Sequence, residues 1–319
     1  MANKKIKQFL SNYLDYIEIE KGLSNKTQEN YARFLKKFFD WLEESKLSHL
    51  SPSDLTPEII WNYRLFLSRH ADPHTKQTLK KSTQNYYLIA LRSLLEFFVE
   101  KNIASLSPSQ VKLAKDKADK EIKFLKIDQI EQLLLSPKTN TPIGLRDRAI
   151  LETLFSTGLR VAELVALNCD QFQIRPGQTD LEIAIVGKGQ KVRTVYFSSR
   201  ATGWIAKYLA GRHDDDEALF INYKPGAEKK DETRRLTTKS IEDIVKKYIK
   251  QAGLPVMATP HTLRHSYATD LLGQGVDLRL VQEFLGHRNI ATTQIYTHVT
   301  NKQLKDVHKK FHSGQNMKN

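Results

Sequence analysis

Over the first hundred residues, apolar side chains recur at steps of three and four: Ile6, Phe9, Leu10, Tyr13, Leu14 and Ile17, then Tyr31, Phe34, Leu35, Phe38, Phe39 and Leu42. That period predicts amphipathic helices, because residues three and four apart share a helix face. Gly22-Leu23-Ser24 ends the first and offers Ser24 as the N-cap of the second. Thr56-Pro57-Glu58 supplies a cap and a first-turn proline for a third helix through Ile59, Ile60, Tyr63 and Leu67. A fourth begins near Ser82 and carries Tyr87, Leu91, Leu94, Leu95 and Phe98. Residues 1–104 are therefore expected to form a four-helix unit.

The pattern then changes. Residues 105–123 hold Pro108, five lysines from Lys112 to Lys123 and few large apolar side chains, which predicts a solvated linker. Contact of this stretch with a phosphate backbone stays open, with Lys112 and Lys115 as candidates. Residues 124–312 are mixed. Helices are expected near Ile127 to Leu135, Leu145 to Phe155 and Ala201 to Leu209, and repeatedly after Thr238. The β-branched runs Leu181 to Val186 and Val192 to Phe197, joined by Gly187-Lys188-Gly189-Gln190-Lys191, predict a hairpin. Tyr223 to Arg235 is polar and basic and is expected to be an exposed loop, and residues 313–319 a disordered tail. The fold class expected is mainly α with a small antiparallel β-sheet: a four-helix unit followed by an α+β domain.

Composition narrows the partners. Fifty Lys and Arg against 36 Asp and Glu give a formal charge of +14, which favours a polyanion, with nucleic acid ahead of other basic-protein roles. The single cysteine, Cys169, excludes an intrachain disulfide and a multi-cysteine zinc site. No run approaches the ~18 uncharged apolar residues of a membrane span, and no leader is read at the N-terminus. A cytoplasmic protein with no membrane partner is expected.

Several residues could carry chemistry. Thr259-Pro260 starts a helix, placing His261 and Arg264 in its first turns beside unpaired N–H groups, where a phosphate sits well. A capped helix with surface His and Arg is equally open. His261 and His265 have the spacing of a zinc helix, but Thr262 stands where a metalloprotease needs glutamate, so no metal is expected. Arg160 lies three residues before Glu163 in an apolar stretch, and an arginine there needs a partner. The pair is either a structural ion pair or a guanidinium aimed by a carboxylate at a phosphate. Lys188 sits between two glycines at a hairpin tip, with Lys191 and Arg193 suited to phosphate contacts. Tyr296, among Ile290, Ile295 and Val299, could be simple core packing.

Taken together, Thr157 to Leu164, Gly187 to Arg193, His261 to Arg264, Gly275 to Arg279 with Val281-Gln282, Leu285-Gly286-His287 and Thr292 to Val299 resemble the tyrosine recombinase (phage integrase) family, in its Xer-type branch. The resemblance runs from about residue 4 to residue 312, in order and spacing. It implies a helical core-binding (SAM-like) domain and a catalytic domain closing on duplex DNA. It assigns Tyr296 as nucleophile, Arg160 and Arg264 as the phosphate clamp, Lys188 beside the leaving oxygen, His261 and His287 as the rest of the pocket, and Glu163 as support for Arg160. It further implies that Asn301 to His312 forms a tail helix docking into a neighbouring protomer. The working form would be a tetramer on two recombination sites, of one chain or with a paralogous recombinase, with a DNA translocase as a further partner.

The chemistry is self-consistent. A phenol of pKa ~10 must lose its proton as it attacks phosphorus. Two guanidiniums stabilise the added negative charge, and Lys188 protonates the 5′ oxygen that leaves. One ester replaces another, so neither ATP nor a metal nor another cofactor is needed. Resolution of chromosome dimers is the expected role. An integrase of a mobile element, a type IB topoisomerase and a catalytically silent DNA-binding protein are the alternatives.

Overall fold

The computed structural model describes residues 4–71, 76–114, 123–175, 177–187, 191–223, 234–254, 258–287 and 289–296. The chain divides into two compact units, residues 1–119 and 120–319.

In the first unit, the apolar stripes become helices α1 (Leu10–Ile19), α2 (Asn25–Glu44), α3 (Pro57–Arg69) and α4 (Lys81–Glu100). The predicted first helix is shorter than its stripe, because Ile6–Phe9 is a tighter 3-10 turn that still buries Ile6 and Phe9. Thr56 caps α3 as expected, its hydroxyl accepting the Ile59 N–H at 3.3 Å. Ser24 stands at the N-cap of α2 in extended conformation, but its hydroxyl meets Thr27 Oγ1 rather than a backbone N–H. Tyr13, Ile17, Leu35, Phe38, Tyr63, Leu67, Leu91, Leu94 and Phe98 close the core.

Of the stretch expected to be a solvated linker, residues 105–114 are fixed on this unit. Val111 is buried in its core, and Asn85 exchanges two hydrogen bonds of 2.9 Å with the backbone of Ala114. Val111, with Leu106 and Leu113 packed against the same core, and one amide side chain hold a segment whose composition suggests solvent. Lys112 is exposed there, and Lys115 lies outside the described residues.

The second unit is built on α6 (Pro142–Thr157), almost wholly buried and preceded by α5 (Ile127–Leu135). Then come α7 (Val161–Val165), strands β1 (Leu181–Val186) and β2 (Val192–Phe197), and α8 (Ser199–Ala210). The unit continues with α9 (Thr238–Gln251), α10 (Pro260–Gly273), α11 (Leu278–Leu285) and the short α12 (Ala291–Gln294). The expected hairpin is present: β1 and β2 pair antiparallel with Leu181 opposite Phe197, Ile183 opposite Val195 and Ile185 opposite Arg193. Strand alternation sends Leu181, Ile183, Ile185, Val195 and Phe197 into the core. Arg193, two residues from Val195, is carried to that same inner side.

Helix α6 buries charge that the apolar pattern gives no sign of. Arg148 and Arg200 share Glu152, and Arg146 binds Asp147, whose other oxygen accepts the Tyr248 hydroxyl at 2.9 Å. Each of these buried ions is paired, the condition under which burial is tolerated.

Candidate active site

The first turn of α7 begins at Arg160, whose backbone N–H reaches Glu163 Oε2 at 2.9 Å while its Nη1 reaches Oε1 at 2.8 Å. A carboxylate three residues into a helix thus satisfies one orphan N–H and turns the arginine of the preceding residue. Arg193 completes the arrangement from β2, with Nη1 on Oε1 at 2.9 Å and Nη2 on Oε2 at 2.8 Å. Burial works to raise the Glu163 pKa, but hydrogen bonds from Arg193 and Arg160 and the charge of Arg193 outweigh it, holding the carboxyl down at about 2.

The C-terminus of α11 supplies the second anchor. Gly286 adopts a left-handed conformation, φ +61°, and ends the helix. The last carbonyls of a helix lack intrahelical donors and carry its negative end. Here two arginines serve them: Arg264 Nη2 donates to Leu285 O, and Arg160 Nη2 donates to Gly286 O at 3.1 Å. Arg264 also donates through Nη1 to Gly158 O, the left-handed residue that ends α6. Side-chain packing leaves no room at Gly286, where a Cβ would lie 2.9 Å from Arg193 Cδ.

His287 follows that glycine and links the site to α12. Its Nε2 lies 3.0 Å from Arg264 Nη2 and its Nδ1 lies 3.0 Å from Thr293 Oγ1. A guanidinium only donates, so Nε2 accepts and Nδ1 carries the proton toward Thr293. Burial, then the charges of Arg264 and Arg160, holds His287 down at about 4, so it is neutral at pH 7. Arg264 is itself 4% exposed; burial and the nearby Arg160 lower its pKa to about 10, which leaves it charged.

A cavity of about 290 Å³ opens over this framework, lined by Arg160, Gly187, Lys191, Arg193, Arg279 and His287 among others. Its wall is cationic and rich in N–H donors, suited to a phosphodiester. A larger cavity of about 930 Å³ in the first unit is mostly apolar and holds no comparable set.

The residues singled out in the sequence are distributed unevenly around this cavity. Arg160 and His287 line it, Arg264 is joined to both through the α11 terminus, and Lys191 stands exposed at its edge. His261 is exposed on the first turn of α10, whereas Arg264, three residues on, is buried. Tyr296 is buried at 1% exposure among Ala268, Leu272, Val281 and Leu285, and its hydroxyl meets His265 Nδ1 at 2.7 Å. Lys188 lies outside the described residues, as do residues 224–233 of the expected basic loop and the segment from 297 onward; the described ends of that loop, Tyr223, Arg234 and Arg235, are half-buried rather than exposed, Arg235 donating to Val165 O and Leu167 O.

Arg193, expected to contact phosphate, lines the cavity and grips Glu163 with both Nη atoms. Counting by twos from Val195 and Phe197 could have placed it inward. Sequence reasoning also passed over His265 except as a metal ligand, and over Thr293. No periodicity marks either: His265 meets a residue 31 positions on, and Thr293 meets His287 across the turn between α11 and α12.

The model of the phage integrase family matches residues 123–303, and that of the phage integrase N-terminal SAM-like domain matches residues 10–102. The tyrosine recombinase XerD of Lacticaseibacillus casei is 35% identical over 309 residues, spanning 95% of this chain and 98% of its own. The tyrosine recombinase XerC of Pelotomaculum thermopropionicum is 35% identical over 318 residues, spanning 95% and 97%. Among solved structures, the XerH site-specific recombinase bound to a palindromic difH substrate matches with a TM-score of 0.67 at 24% identity, over 93% of this chain and 83% of that one. That structural likeness carries the fold; the family rests on the sequence matches.

Proposed function

Because the chain belongs to the phage integrase family, as a DNA strand-exchanging tyrosine recombinase of Xer type, we propose that it resolves chromosome dimers by exchange at two short duplex sites, through a 3′-phosphotyrosyl intermediate. The observation that carries the chemistry is the convergence of Arg160, Arg264 and His287 on the Leu285-Gly286 turn beneath a cationic cavity.

In this reading the scissile phosphate enters the cavity, and Arg160, already oriented by Glu163, binds a non-bridging oxygen. Arg264 stabilises through its charge the negative charge that grows as phosphorus becomes pentavalent, and His287, accepting from Arg264, holds that guanidinium in place. Donors fixed beforehand by carbonyls and a carboxylate need little reorganisation during reaction. Tyr296 attacks phosphorus, and Lys188, on the hairpin whose ends Gly187 and Lys191 line the cavity, protonates the departing 5′ oxygen. A 5′-hydroxyl from the second duplex then reverses the step. Exchange rather than hydrolysis follows from the conserved ester. The working assembly is a tetramer on two sites, of this chain alone or with a paralogous recombinase, governed by a DNA translocase.

The test is a nicked suicide duplex from the host replication-terminus region, incubated with wild type and Y296F without added metal and resolved on a denaturing gel. A covalent adduct with wild type alone supports the assignment. Binding without an adduct, on this and other candidate sites and with the paralogous chain added, would exclude it.

A further inference from the structure

The hydroxyl of Tyr296 has a partner that the family motif does not name. It lies 2.7 Å from Nδ1 of His265, the rings 5.4 Å apart and tilted by 58°. His265 directly follows Arg264 on α10, so one rigid helix carries both the clamp arginine and the ring that touches the nucleophile. His261, the histidine that the resemblance places in the pocket, is exposed one turn earlier.

We propose that His265, rather than His261, accepts the proton of Tyr296 as the hydroxyl attacks phosphorus. This inference rests on Tyr296 being the nucleophile.

A tyrosine hydroxyl at neutral pH must be deprotonated during attack, and here the need is increased, because burial pushes the Tyr296 phenol up from its ordinary value. The ring beside it is free to accept. Burial, followed by the charges of His261 and Arg264, holds His265 down at about 4, so at neutral pH its imidazole is uncharged. The titratable and charged groups around it are His261 and Arg264 on its own helix, Tyr296 after α12, and His287 after α11. In the free protein such a weak base leaves the phenol intact. A phosphodiester anion bound against Arg264 offsets one of the charges that disfavour the imidazolium, so basicity rises when substrate is present.

The step balances. As the Oη–P bond forms and the P–O5′ bond breaks, the Oη proton passes to His265 Nδ1, and the leaving O5′ takes a proton from Lys188. In rejoining, the attacking 5′-hydroxyl returns a proton to Lys188, the Oη–P bond breaks, and the imidazolium reprotonates Oη. A weakly basic ring is a strong acid once charged, which suits that return.

The experiment measures single-turnover adduct formation on the suicide duplex by the full chain, for wild type, H265A, H265N and Y296F across pH 6 to 9, with duplex binding measured in parallel. General-base removal typically costs about 10²-fold or more. H265A and H265N are expected to bind DNA like wild type, to form adduct about 10²-fold more slowly, and to recover as pH rises. Placing 3-fluorotyrosine at position 296 lowers the phenol pKa, and the deficit of both variants is expected to shrink. The inference is overturned by an unchanged or faster H265A, by wild-type rates in H265N, which keeps a hydrogen bond without the base, or by a deficit indifferent to pH and to fluorotyrosine. Failure of wild type to form an adduct, or an adduct in Y296F, would instead remove the nucleophile assignment beneath it.

Discussion

Arg193 grips both oxygens of Glu163, at 2.9 Å and 2.8 Å, and so holds in place the carboxylate that orients Arg160. A residue on a β-strand thereby acts on Arg160 and the cavity it lines through an intermediary. Both of its Nη atoms are taken up by that carboxylate, whereas Arg160 gives it Nη1 alone and sends Nη2 to Gly286 O.

Arg193 is therefore expected to behave as a positioning residue. R193K keeps the charge but loses the two-pronged grip, since an ammonium is a point donor. Adduct formation should fall about tenfold or more, a cost of roughly 1.4 kcal/mol per decade, with little change in the salt dependence of DNA binding. K191A, at an exposed position on the edge of the cavity, should leave chemistry intact and lower the slope of log K against log[salt] by about one. Equal salt slopes for the two variants would contradict this division of labour.

Glu163 ties stability to acid. Its folded-state pKa, about 2, lies below the ordinary 4.5, so the unfolded chain binds the proton more readily. The stabilisation is then present above pH ~4.5 and lost as pH falls toward 2, up to about 3 kcal/mol in all. Denaturant unfolding at stepped pH should show this loss in wild type and a shallower one in E163Q.

His287 and His265 act at higher pH. Both are held at about 4, below the ordinary 6.5, so each is more easily protonated unfolded than folded. Stability is expected to fall as pH drops from ~6.5 toward 4, and H287N should flatten that slope. Histidine NMR titrations check the cause directly: neither ring should charge near pH 6.5.

Gly286 should tolerate no side chain. Its φ of +61° costs an L-residue about 1–2 kcal/mol, and a Cβ would press on Arg193 from 2.9 Å. G286A is expected to melt several degrees lower and to lose adduct formation more than DNA binding, because the displaced carbonyl serves Arg160. An active, stable G286A would show that this turn does not set the clamp.

Much of the fold is legible in the residues themselves. The stripes of α1, α2 and α4 follow from side chains three and four apart, and the caps at Thr56 and Thr259 from hydroxyls beside a proline. The hairpin follows from two β-branched runs around glycines. The buried charges of α6 were not legible, because Arg146, Asp147, Arg148 and Glu152 interrupt the apolar pattern there and find partners on α9, α8 and a distant backbone carbonyl. The anchoring of Leu106, Val111 and Leu113 is not legible for a related reason: apolar residues scattered through a lysine-rich stretch do not announce a contact.

The sequence alone pointed to the reaction class, through a family resemblance carried by Arg160, Lys188, His261, Arg264, His287 and Tyr296 in that order. Tertiary structure decided what each group does at rest. Pairing of β1 with β2 turned Arg193 inward onto Glu163, the end of α11 offered its free carbonyls to two arginines, and the packing of α12 put the Tyr296 hydroxyl on His265. Those outcomes depend on distances between residues 21 to 126 positions apart. Local spacing fixes which face of an element a side chain occupies; only the packed chain fixes what that face meets.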